Sequence, residues 1–79
     1  MPNPFNNSTQ IKFDIPSDTY VHLGVYNLLG ELVEEIVGQD LGAGEYTYEF
    51  NSANLPAGTY MYKIVTDNYT ATKSMNVIK

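Results

Sequence analysis

Apolar residues return at every second position in short runs along this chain, and each run is bounded by Gly, Pro, Asn or Asp. That is the period of strands with one buried and one wet face, not the 3.6-residue period of a helix. Six strands are predicted on this pattern. The first covers Thr9 to Ile15, with Ile11, Phe13 and Ile15 on one face, and Pro16 ends its pairing before Ser17 and Asp18 turn the chain. The second covers Tyr20 to Tyr26 with Val21, Leu23 and Val25 inward. It passes through Asn27-Leu28-Leu29-Gly30, where Gly30 supplies a positive φ, into a third strand from Leu32 to Val37. Leu32, Val33, Ile36 and Val37 also suit a short helix by spacing, but so short a segment does not hold a helix by itself.

The fourth and fifth strands belong to an internal echo. Leu41-Gly42-Ala43-Gly44-Glu45-Tyr46-Thr47-Tyr48-Glu49-Phe50 is matched by Leu55-Pro56-Ala57-Gly58-Thr59-Tyr60-Met61-Tyr62-Lys63-Ile64. In each copy a glycine, Gly44 or Gly58, lets the chain turn without steric cost, and the residues after it alternate onto one face. Thr66-Asp67-Asn68-Tyr69 then reads as a tight hairpin whose central Asp-Asn pair takes φ > 0, leading into a last strand from Thr70 to Ile78. Lys73 shares a face with Met75 and Val77 in that strand, which predicts either a bulge or an edge position with the lysine stem lying over apolar surface. Together these elements predict an all-β fold, an immunoglobulin-like antiparallel β-sandwich of about six to seven strands.

At 79 residues and 43% hydrophobic, the chain suits one domain, residues 1–79, with Met1 read as a start-codon addition. There is no cysteine, so no disulfide or thiolate site holds the fold. The net charge of −5, with four lysines and no arginine, argues against nucleic acid as a partner. The charges are unevenly placed: residues 1–59 carry eight acids against Lys12, a net of −7, whereas residues 60–79 carry Lys63, Lys73 and Lys79 against Asp67, a net of +2. Such asymmetry orients a partner electrostatically.

Little in the chain points to catalysis. His22, the single histidine, faces outward from the second strand, and Ser8, Ser52 and Ser74 lie in no nucleophile-elbow sequence. Glu34 and Glu35 are adjacent, so on a strand they face opposite ways and do not form an acid and base pair. No spacing of acids matches a calcium loop, and one histidine without cysteine does not make a zinc site; no cofactor and no metal are expected. The Asn6, Asn7 and Asn68 glycosylation patterns carry no weight in so Asn- and Thr-rich a chain. Seven tyrosines raise a carbohydrate-binding module as an alternative, and a plain structural spacer is another. Alternation of Tyr46, Tyr48, Tyr60 and Tyr62 with Thr, Glu, Met and Lys favours the core as their home.

Several motifs in order resemble one family. Pro2-Asn3-Pro4-Phe5-Asn6 with Ser8-Thr9, Ile11, Phe13 and Ile15-Pro16, then Val25 to Gly30, Leu41 to Phe50, Leu55 to Tyr60 and Lys73 to Lys79 are together similar to the type A C-terminal sorting domain of type IX secretion in Bacteroidetes-type bacteria. The chain departs from the family pattern at Asn7, Glu31 and Asn76. The resemblance implies a non-enzymatic tag fused behind a cargo that is secreted or displayed on the cell surface. It implies passage through the periplasm of a Gram-negative bacterium, recognition by an outer-membrane translocon, and removal by a sorting protease. Lys73, Val77, Ile78 and Lys79 are the expected recognition residues, Gly30, Gly44, Gly58 and Tyr60 the structural motif, and a monomer the expected state.

Overall fold

The computed structural model describes residues 3–5 and 7–79, with side chains from Asn7 onward. Seven strands are present: β1 Asn3–Phe5, β2 Ser8–Ile15, β3 Thr19–Tyr26, β4 Leu32–Leu41, β5 Gly44–Asn51, β6 Gly58–Thr66 and β7 Thr70–Val77. No described residue is helical. A five-stranded sheet in the order β1-β7-β6-β3-β4 faces a two-stranded sheet of β2 and β5. With β2 and β5 standing as strands B and E, β3, β6 and β7 as C, F and G, and β4 as an added C′, the pairing is that of an immunoglobulin-like sandwich.

All six predicted strands are found, and β1 is an addition. It lies parallel to β7, with Asn3 opposite Met75 and Phe5 opposite Val77, and is the one parallel pair in the fold as described. Three residues that include a proline carry no alternation signal, and Pro4 lacks an N–H to donate, which an edge strand tolerates. Met1, Pro2 and Asn6 of the opening motif lie outside the described residues.

The predicted third strand runs four residues further, to Leu41, and two register shifts interrupt its pairing with β3. Leu23 faces Val37 and Gly24 faces Glu35, so Ile36 is extra; Val25 faces Glu34 and Tyr26 faces Leu32, so Val33 is extra. Each inserted residue breaks the two-residue alternation. That is why the apolar positions at 33, 36 and 37 take on a helix-like spacing in a strand.

The inner faces meet in one core. Ile11 and Ile15 of β2, Val21, Leu23 and Val25 of β3, Val37 of β4, Phe50 of β5, Tyr60 and Ile64 of β6, and Met75 and Val77 of β7 are all buried. Phe13, Tyr46 and Tyr48 sit half-buried on the inner face of the smaller sheet, their rings stacked with centroids 5.6–6.4 Å apart. The tyrosines are therefore packed against the core, and Phe13 adds offset aromatic contact at the side where two strands do not cover five.

Candidate functional site

The strands run along the long axis of a body measuring 37 × 22 × 22 Å, and their connections gather at two poles. At one pole the loop between β2 and β3, the loop between β4 and β5, and the β6–β7 hairpin turn are tied together. Asp18 Oδ1 accepts from Ala43 N at 2.9 Å, Asp67 N donates to Thr19 Oγ1 at 3.1 Å, and Tyr69 Oη donates to Asp14 O at 3.0 Å. The other pole holds the β3–β4 turn, the β5–β6 connection and the C-terminal residues Ile78 and Lys79, as the register of β3, β6 and β7 requires.

The hairpin turn at the first pole departs from the sequence expectation. No residue other than glycine has a positive φ among the described residues, so Asp67 and Asn68 do not form the mirror-image turn predicted for them. Thr66 supplies the alternative. Its N–H donates to Tyr69 O at 2.9 Å, while its hydroxyl accepts from Asn68 N and Tyr69 N at 3.1 Å each. A side-chain oxygen capping the turn takes the place of the second backbone bond, and left-handed residues are no longer needed.

The four expected recognition residues divide between the waist and the second pole. β6 and β7 pair without a register shift, so no bulge moves Lys73, which remains on the inner face with Tyr62 opposite it. Lys73 is exposed at the mouth of a groove of about 420 Å³, with Ile11, Tyr62 and Met75 in its wall, and this is the edge arrangement anticipated as the second option. Thr9, Gln10 and Ile11 of β2 line the same space. Burial raises the pKa of the Tyr62 hydroxyl above its usual value. On that side β1 covers only Met75 to Val77, so Thr70 to Ser74 have an edge with no strand beside it among the described residues.

Val77 is only 2% exposed and belongs to the core, whereas Ile78 projects into solvent. Lys79 reaches back with Nζ to Ser52 O at 3.1 Å and Ala53 O at 3.0 Å. Ser52 is a junction: its N–H donates to Asn7 O at 2.8 Å and its carbonyl also accepts from Leu55 N at 2.9 Å. The terminal lysine therefore fastens the end of the chain to the β5–β6 connection. Asn76, which departs from the apolar family pattern, points outward and accepts from Thr59 Oγ1 at 2.8 Å, leaving Met75 and Val77 on either side of it buried.

Of the structural motif, Gly30, Gly44 and Gly58 all have positive φ, at 85°, 148° and 150°. Tyr60 is buried and donates its hydroxyl to Pro56 O at 2.7 Å, the tyrosine corner that closes this fold at the start of strand F. His22 is half-buried on the outer face of β3, with Nε2 3.0 Å from Glu35 Oε2. No group of three or more His, Asp or Glu residues converges among the described residues.

Leu28 and Leu29 enter the sequence reading as part of the turn motif Val25 to Gly30, with no recognition role, and the structure leaves both projecting at the second pole. The available signal was two leucines at central turn positions that normally take polar residues. No curated protein and no solved structure matches the chain. The profile of the secretion system C-terminal sorting domain matches residues 1–79, the whole chain, which therefore belongs to that family, the C-terminal sorting signal of cargo secreted or surface-displayed by type IX machinery in Bacteroidetes-type Gram-negative bacteria.

Proposed function

We propose that residues 1–79 act as one non-catalytic tag, read by the outer-membrane translocon of type IX secretion through the β6–β7 hairpin and the end of the chain. The observation that carries this reading is the edge of β7 from Thr70 to Ser74, which has no strand beside it among the described residues and lies in the C-terminal stretch 60–79, whose net charge is +2. A free edge offers backbone donors and acceptors to an added strand, and a lysine beside it selects an acidic partner. Lys73 and Ile78 are exposed and make the direct contacts; Val77 and Lys79 hold the strand end in place from the core side and from the Ser52 junction.

In this reading the cargo enters the periplasm by a separate N-terminal signal, the tag engages the translocon there, and a sorting protease cuts the segment before the tag. The domain itself binds no cofactor and works as a monomer. Fusing residues 2–79 behind an exported fluorescent protein tests the reading in a type IX-competent bacterium against a secretion-null strain. Fluorescence in the medium or on the surface of the competent strain alone is the expected result. Retention of the cargo in the periplasm of both strains overturns it. Lys73→Glu should lower the exported fraction severalfold, because charge reversal at the edge repels the same partner.

A further inference from the structure

Four of the five exposed large apolar side chains lie at one end of the molecule, and the fifth, Tyr20, lies at the other. Leu28, Leu29, Leu32 and Ile78 are 67, 85, 51 and 49% exposed, and all four belong to the pole where the chain ends. Tyr26 faces Met61 and Met61 faces Ser74, so the β3–β4 turn and the residues after β7 leave the sheet in the same direction. Between them only the start of β6 intervenes, and the residues leading into it, Pro56 and Ala57, are small and exposed.

Folding does not call for leucine at the turn. Asn27 and Gly30 build it: Gly30 N donates to Asn27 O, and Asn27 Oδ1 accepts from Leu29 N and Glu31 N, all at 3.0 Å. Asn27 N donates to Glu31 O at 3.0 Å and Gly30 has a φ of 85°, the three-residue loop in which a left-handed residue closes the turn. Positions 28 and 29 contribute backbone alone to this pattern, and polar residues serve there equally well. The turn holds the two leucines out on a hydrogen-bonded support, with exposed Glu31 in the turn itself and Glu34 exposed further along β4.

We infer that Leu28 and Leu29, which emerge at the same pole as Ile78, form a second recognition element that inserts into an apolar pocket with a cationic rim on a protein of the secretion machinery. The inference rests on the sorting role proposed above and adds to it a contact remote in sequence from the terminal hairpin. Apolar side chains presented on a backbone already fixed by hydrogen bonds lose less freedom on binding than those on a mobile loop, which suits them to act as interface anchors. Glu31 and Glu34 favour a protein pocket with basic groups at its rim over an anionic bilayer, which repels them.

The double variant Leu28→Ser/Leu29→Ser in the fluorescent fusion tests this. The exported fraction should fall about tenfold, the loss typical when anchor residues are removed, with the thermal unfolding of the purified domain unchanged. Leu29→Met, which keeps an apolar side chain, should export as the parent does. Wild-type fusion that fails to leave the cell refutes the sorting role itself; wild-type export with equal export of the folded double variant refutes this inference alone. Sedimentation and flotation with phosphatidylethanolamine–phosphatidylglycerol vesicles identify the occupant. Self-association or vesicle binding by the wild type that the double variant loses would overturn the protein pocket, and a monomer that ignores vesicles supports it.

Discussion

The two copies of the echo, Gly44 to Phe50 and Gly58 to Ile64, are the same local device placed in different surroundings. In each, a glycine with φ near 150° starts a strand, and the tyrosine two residues later donates its hydroxyl to the carbonyl four residues back: Tyr46 to Gly42 O at 2.6 Å, Tyr60 to Pro56 O at 2.7 Å. The copies differ in what covers them. β6 lies between β3 and β7 in the larger sheet, and Tyr60 is 6% exposed; β5 has β2 alone for a neighbour, and Tyr46 stays half-open against Phe13. Local sequence sets the corner, and sheet position sets how much energy depends on it.

The largest expected difference between the copies is in ring burial. Tyr60→Ala should cost about 3–5 kcal/mol, as removal of a buried aromatic does, and should leave so small a domain largely unfolded. Tyr46→Ala should cost less than about half of that, since much of its ring never leaves water. Urea unfolding of both variants checks this, and equal losses would mean that sheet position does not matter.

Next come the glycines, where the copies should agree. No atom lies within 4 Å of a side-chain carbon built at Gly44 or Gly58, so Gly→Ala at either meets backbone strain without a clash. Both should lose about 1–3 kcal/mol, with the two values alike. A markedly larger loss at Gly58 would assign part of the strain to its sheet.

Removing the hydroxyls alone should be milder and again unequal. Tyr60→Phe is expected to lose about 1 kcal/mol and Tyr46→Phe a few tenths, because the second bond is exposed to competing water. The smallest effect concerns Tyr62, which holds its proton more tightly when folded than when unfolded. The folded state then binds more protons, so stability should fall as pH rises past about 10, and Tyr62→Phe should flatten that fall in a denaturation series.

Most strands and both echo turns were legible because they depend on neighbours in sequence. Alternation placed Val21, Leu23 and Val25 in the core, and the turning glycines Gly44 and Gly58 marked both strand starts, whereas the hydroxyl bonds of Tyr46 and Tyr60 came only from the structure. Expectations weakened where a partner distant in the chain decided the outcome, as for Ile36 and Val33, which are extra residues only in relation to β3. The same limit applies to the recognition residues: Val77, Ile78 and Lys79 are consecutive, yet one is core, one is solvent-facing and one is bonded to the β5–β6 connection. The turn at Asp67-Asn68 differed for a local reason: the hydroxyl of the adjacent Thr66 accepts from Asn68 N and Tyr69 N and caps the turn.

By itself, the sequence determined the all-β class, the strand faces, the glycine-led turns and the reversal of charge near the C-terminus, since each follows from side-chain period or from backbone sterics within a few residues. Only the tertiary structure decided that five strands face two, that Asn3 to Phe5 run parallel to β7 beside Met75 to Val77, and that Leu28, Leu29 and Ile78 emerge at one pole. Those features depend on which strands become neighbours, and that is settled by the packing of the whole core and by no single segment.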